Sequence, residues 1–155
     1  MTKETSQIRA LLAPIENGLV MVPGSVVAEV IELSDMREMA DAPDWVVGEV
    51  DWQDWRVPVV SYALLGGTAD GGEVSAKDRV LVIKSLAEAA GTPYIGILIS
   101  GVPRLASVAA AALTEPDPAA DFPCVFRCVT FEDQRVIIPD LDALVAEVDP
   151  VMSEA

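Results

Sequence analysis

Apolar residues recur along this chain in runs of strand length with turn residues between them, and only short pieces carry a helical period. The runs predict strands near Ile8–Ile15, Leu19–Val22, Val27–Leu33, Val46–Trp52, Trp55–Val60, Val80–Leu86, Tyr94–Ser100, Val102–Val108, Val125–Phe131 and Arg135–Ile138. Asn17-Gly18 is a tight-turn signal between the first two, and Glu132, Asp133 and Gln134 close the last hairpin. A helix is expected from Pro139, Asp140 and Leu141 onward, with Asp140 as N-cap and Leu141, Leu144, Val145 and Val148 on one face, packed against the strands. A second helical piece is expected in the Ala-rich segment Val108 to Leu113, ahead of a solvated proline loop, Glu115 to Pro123. A glycine-rich loop, Gly66 to Glu73, separates the two halves of the strand series. The pattern is that of an all-β protein with short helical punctuation, and no internal sequence repeat stands out.

The stretch Asp44 to Leu65 is the most distinctive. Trp45, Val46, Val47 and Val50 load one arm, and Val57, Val59 and Val60 the other, with residues that suit a pleated, half-buried surface. Between the arms sit Trp52, Gln53, Asp54 and Trp55. With Gln53 and Asp54 as the loop, the indoles become a cross-strand pair worth about 0.2 to 1 kcal/mol. Such a two-residue turn needs positive φ, which Asp tolerates and Gln disfavours. Trp52 and Trp55 read as interface anchors, or alternatively as rings folded inward to seal a barrel end. Glu29, inside the apolar run Val26–Leu33, reads either as a charge facing a partner's cation or as a solvated strand face.

The remaining composition narrows the function. At 155 residues the chain makes one domain, or two small lobes sharing a core, and 52% of it is hydrophobic. Ten Lys and Arg against 25 Asp and Glu give a net charge of -15, which repels nucleic-acid backbones and anionic lipid and leaves a basic protein patch as the fitting partner. The polar start, MTKETSQIR, has no apolar signal region. The uncharged run Ala89–Pro103 is broken by Gly91, Pro93, Gly96 and Gly101, so no spanning helix is expected and a cytoplasmic location is. Cys124 and Cys128 fall four residues apart on an expected strand, about 13 Å, too far for a disulfide and so both reduced. With no histidine and no third cysteine, neither a metal site nor a cofactor is implied, and Ser-His-Asp and Cys-His chemistry is excluded. The carboxylate pairs Asp51/Asp54, Asp117/Asp121 and Asp140/Asp142 lie in turns, a loop and a helix start, where solvated acids are ordinary. Ser61, Ser75, Ser100 and Ser107 have no activating base in sequence, and the glycine loop lacks the Lys-Ser/Thr of a phosphate cradle. What is left is recognition, with a small apolar ligand held between two lobes, or a carboxylate-dependent hydrolase, as the competing classes.

Four blocks carry a family resemblance: VAEVIEL at Val27–Leu33, APDWVVGEVDWQDWRVPVVS at Ala42–Ser61, YIGILISGVPRL at Tyr94–Leu105 and FEDQRVIIPDLDALV at Phe131–Val145. Over nearly the whole chain, as a single domain spanning residues 1–155, the sequence resembles the CheW-like domain, the adaptor coupling chemoreceptors to the histidine kinase CheA. The resemblance implies two intertwined five-stranded SH3-like barrels with a C-terminal helix and no catalytic activity. It implies two partners, the regulatory domain of a CheA-like kinase and the cytoplasmic tip of a chemoreceptor, the latter in a groove between the lobes. Carried over by position, Val27, Glu29 and Gly48 fall on first-lobe partner contacts, and Val80, Val102 and Leu105 on apolar second-lobe positions of the groove; Trp52 and Gln53, at the hairpin tip, join the partner contacts on their own residue types. The chain departs from the family where N-L-R-G is usual at the hairpin tip, having Asp51, Trp52, Gln53 and Asp54, and it carries Ser61 and Ser100 where Asp is usual. Gln for Arg removes a forked cation. The resemblance then points to an accessory member, similar to the extra coupling proteins of systems that govern type IV pili and twitching.

Overall fold

The computed structural model describes residues 7–15, 18–33, 36–39, 42–62, 78–85, 93–109 and 125–153. They form β1 (Gln7–Ile15), β2 (Gly18–Pro23), a 3-10 turn (Gly24–Val26), β3 (Val27–Glu32), β4 (Val46–Trp52), β5 (Trp55–Val60), β6 (Arg79–Lys84), β7 (Tyr94–Ile99), β8 (Arg104–Ala109), β9 (Val125–Phe131), β10 (Gln134–Pro139) and α1 (Leu141–Ser153). Every expected strand is present. The run expected from Val102 pairs only from Arg104, after Pro103, which has no N–H to give a ladder. Val108, also read as the start of a helix, instead pairs with Ile8 across β1 and β8. Residues 16–17, the glycine loop, residues 110–113 of the Ala-rich segment, the proline loop and Cys124 lie outside the described residues.

The strands build two five-stranded sheets, ordered β8-β1-β2-β10-β9 and β3-β6-β7-β5-β4. The second is inserted, as residues 27–99, between the two parts of the first, so the lobes are intertwined in sequence. Both sheets repeat one pairing scheme: antiparallel, antiparallel, parallel, antiparallel. In each, the last antiparallel pair is a hairpin turning on two residues at positive φ, Gln53 (48°) and Asp54 (68°) in one, Glu132 (53°) and Asp133 (65°) in the other. Within each hairpin an arginine bonds the residue seven positions back, Arg56 to Glu49 and Arg135 to Cys128. The internal repeat that the sequence hides is therefore plain in the backbone.

Alternation along the strands divides the apolar residues among three clusters. Ala10, Leu12, Leu19, Val129, Phe131 and Val136 line the inside of the first sheet. Val50, Val57, Val59, Val80 and Val82 line the inside of the second. The intervening positions, among them Leu11, Ala13, Val20, Leu81, Ile83, Ile95, Ile97 and Ile137, meet between the sheets. Both faces of most strands are thus buried, which is why the sequence shows continuous apolar runs instead of a clean apolar-polar alternation. Helix α1 joins this shared core through Leu144, Val145 and Val148. Its start is capped as expected, with the Ala143 amide donating to Asp140 Oδ1 at 3.1 Å.

Candidate functional site

β3 and β4 are opposite edges of the second sheet, yet the Trp52 indole N–H, from β4, donates to Glu29 Oε1, from β3, at 2.9 Å. The sheet curls until its edges meet, and the indole closes that end. Trp52 stands edge-on to Tyr94, with ring centroids 4.8 Å apart, and both pack onto the lining cluster. Trp52 and Trp55 are partners in register, as expected for a Gln53-Asp54 loop, and Tyr94 is the ring that both meet, Trp55 at 6.0 Å. The two readings of the tryptophans divide between them: Trp52 turns inward and Trp55 stays 46% exposed.

On the outer face of the same hairpin, Glu49 is buried beneath two guanidiniums. Arg56 reaches its Oε1 at 2.6 Å, and Arg37 reaches its Oε2 at 3.2 Å while also bonding Asp51 at 3.0 Å. Burial by itself pushes the Glu49 carboxyl up, but the hydrogen bonds from Arg56 and Arg37 outweigh it and hold the group below the ordinary carboxylate range. The bond from Arg37 holds Asp51 low as well. Arg37 further ties the 36–39 segment to the free edge of β4, exchanging two backbone hydrogen bonds with Glu49 at 2.8 and 2.9 Å. At Glu49 that edge is therefore covered.

Val27, Glu29, Gly48, Trp52 and Gln53 all lie in the second sheet or its tip, and Glu29, Gln53 and the half-buried Trp52 meet at one end. Two of the expected contact residues need correction. Gly48 is buried, and a Cβ there would sit 2.6 Å from the Arg37 carbonyl oxygen, so glycine serves the close approach of that segment and offers no surface. Val80 is fully buried, lines the second sheet opposite Ile31, and so belongs with Glu29's lobe and not with Leu105. Val102 and Leu105 are 74% and 56% exposed. They lie at the return crossover into the first sheet, and Leu105 sits beside Gly24, at the outward crossover that leads into Val27.

Arg37, Glu49, Arg56 and Tyr94 were not singled out from sequence. Glu49 had a signal, an acid flanked by apolar residues in VVGEVDW, but its partner Arg37 comes from a segment without strand periodicity. Among the described residues no His, Cys, Asp and Glu cluster could hold a metal ion, and no helix is long and apolar enough to cross a membrane. Cys128 is buried as a free thiol that accepts a hydrogen bond from Arg135 Nε. Between the sheets lies the shared apolar core.

Comparison with known families decides the affiliation. The model described as CheW-like domain matches residues 9–149. This chain belongs to the CheW-like domain family. A solved structure with the same fold is that of the scaffolding protein TtCheW from Thermoanaerobacter tengcongensis, at a TM-score of 0.68 and 15% identity, covering 86% of this chain and 89% of that one. No curated protein matches the sequence. The two sheets and terminal helix described above are the CheW-like architecture in this chain.

Proposed function

We propose that this CheW-like protein is a non-catalytic cytoplasmic adaptor that couples chemoreceptor tips to a CheA-type histidine kinase. The kinase regulatory domain docks on the tryptophan-capped end of the second sheet, at Glu29, Trp52, Gln53 and Trp55, with Gly48 and Val80 shaping that end from beneath. The receptor tip lies along the two crossovers, at Val27, Val102 and Leu105. One observation carries this reading: the large apolar side chains left exposed among the described residues, Trp55, Val102 and Leu105, stand on two different lobes, one beside each proposed docking site. Exposed aromatic and aliphatic side chains rimmed by polar groups are what partner surfaces present. The acidic, tryptophan-bearing tip fits a specialised coupling protein, and control of type IV pilus motility is the assignment we favour for it.

The test is binding of the purified kinase regulatory domain and of a receptor-tip fragment, measured separately by calorimetry. Glu29→Arg and Trp52→Ala are expected to abolish kinase binding and spare the receptor, and Val102→Ser with Leu105→Ser the reverse. Kinase binding indifferent to both first-site changes, in variants shown to be folded, refutes the assignment of faces.

A further inference from the structure

We propose that the tryptophan-capped end of the second sheet receives an arginine side chain from its partner, stacked on Trp55 and paired with the carboxylates of Glu29 and Asp54. This rests on the reading of that end as a docking face and adds the chemistry of what docks. Charge accounting comes first. The two guanidiniums on this hairpin face, Arg37 and Arg56, are both committed to the two carboxylates of Glu49 and Asp51, so that cluster closes neutral. Glu29 is held by the Trp52 indole, a neutral donor that orients the carboxylate without compensating its charge. Asp54, exposed at the turn, is in no ion pair among the described residues. Lys84 stands across from Tyr94, exposed and likewise in no ion pair, and with it counted the carboxylates at this end still outnumber the cations.

The rings supply the second half of the argument. Trp55 leans on Tyr94 at 56° and leaves nearly half its surface open, beside the Trp52 ring whose N–H fixes Glu29. An indole face is the best aromatic platform for a cation. A guanidinium fits it better than an ammonium, because it is flat enough to stack and forked enough to bond a carboxylate in the same pose. The chain's net charge of -15 draws basic surfaces in the same sense.

Two measurements test this. In the first, the intact protein is titrated with an acetylated, amidated Gly-Gly-Arg-Gly-Gly peptide and with its citrulline counterpart, which keeps the shape and lacks the charge, while the indole N–H resonances are followed by NMR. The arginine peptide is expected to shift Trp55 and Trp52 at least fivefold more than the citrulline peptide, and equal shifts overturn the proposal. In the second, affinity for the kinase regulatory domain is compared across Glu29→Gln, which can still accept the indole N–H, Trp55→Phe and Trp55→Leu. The expectation is a tenfold or greater loss for Glu29→Gln with a flatter salt dependence, and a larger loss for Trp55→Leu than for Trp55→Phe. Glu29→Gln without effect and Phe equal to Leu would overturn the arginine assignment. If Trp55→Lys then still abolishes binding, the docking face stands without its arginine; if Trp55→Lys is also silent, the face itself fails.

Discussion

Replacing Gly48 by alanine puts a methyl group where the structure has none to spare. The new Cβ would lie 2.6 Å from the Arg37 carbonyl oxygen and 2.7 Å from Met36 Cγ, so the 36–39 segment must withdraw. Withdrawal breaks the two backbone hydrogen bonds between Arg37 and Glu49, about 1 kcal/mol each. It also loosens Arg37 from Glu49, leaving a buried carboxylate with Arg56 alone, a loss of about 1 to 3 kcal/mol. Alanine restricts the unfolded chain and returns about 0.4 to 1 kcal/mol. The balance is a destabilisation of about 2 to 4 kcal/mol. With a urea slope of about 1 to 3 kcal/mol/M for a domain of this size, the unfolding midpoint should fall by about 0.7 to 4 M. A midpoint within about 0.3 M of the parent would show that the segment yields freely, and the account of Gly48 as a packing residue would be wrong.

Other outcomes follow from the same geometry. Because Glu49 is held below its ordinary range, its unfolded form binds protons first, so its contribution is present above the usual carboxylate pKa and is lost as pH falls through the folded value. Glu49→Gln should therefore flatten the acid side of the stability curve in urea titrations from pH 7 to 3, and an unchanged slope would contradict the assignment. Gln53→Asn with Asp54→Gly puts residues suited to positive φ into the turn and should raise stability by about 1 kcal/mol, whereas a lower melting temperature would mean the Gln53 side chain contributes something the backbone does not show. Asp140→Ala removes the helix cap and should cost about 0.5 to 2 kcal/mol, read by chemical denaturation. Leu105→Ser should change stability by less than about 0.5 kcal/mol while weakening receptor-tip binding, and a marked loss of stability would reassign Leu105 to the core.

Strand positions were legible because the core has three layers, and nearly every strand must carry apolar residues on both faces. The Asp140 cap and the Leu144, Val145 and Val148 face were legible for the same local reason, a fixed spacing along one element. What sequence could not supply is any relation between distant elements. The family resemblance puts Val80 among the groove residues, whereas pairing with Ile31 buries it in Glu29's lobe. Glu49 and Arg37 come together only because glycine at position 48 admits a segment that belongs to neither strand. The repeat of the two hairpins was hidden because it conserves turn geometry and an arginine seven residues on, while the facing residue changes from carboxylate to thiol.

Nesting one sheet inside the other sets an order of events on the ribosome. Residues 27–99 carry every strand of the inserted sheet and can pair as soon as they emerge. The earlier hairpin, β1 with β2, must wait for β8 and for the parallel partner β10, whose Val136 meets Leu19. Until then its flanks are open edges, and pairings this distant in sequence form slowly. The earliest strands of the fold to be synthesised are therefore among the last to be secured, and a nascent chain stalled before residue 104 would expose an adhesive half-sheet to chaperones and neighbours alike.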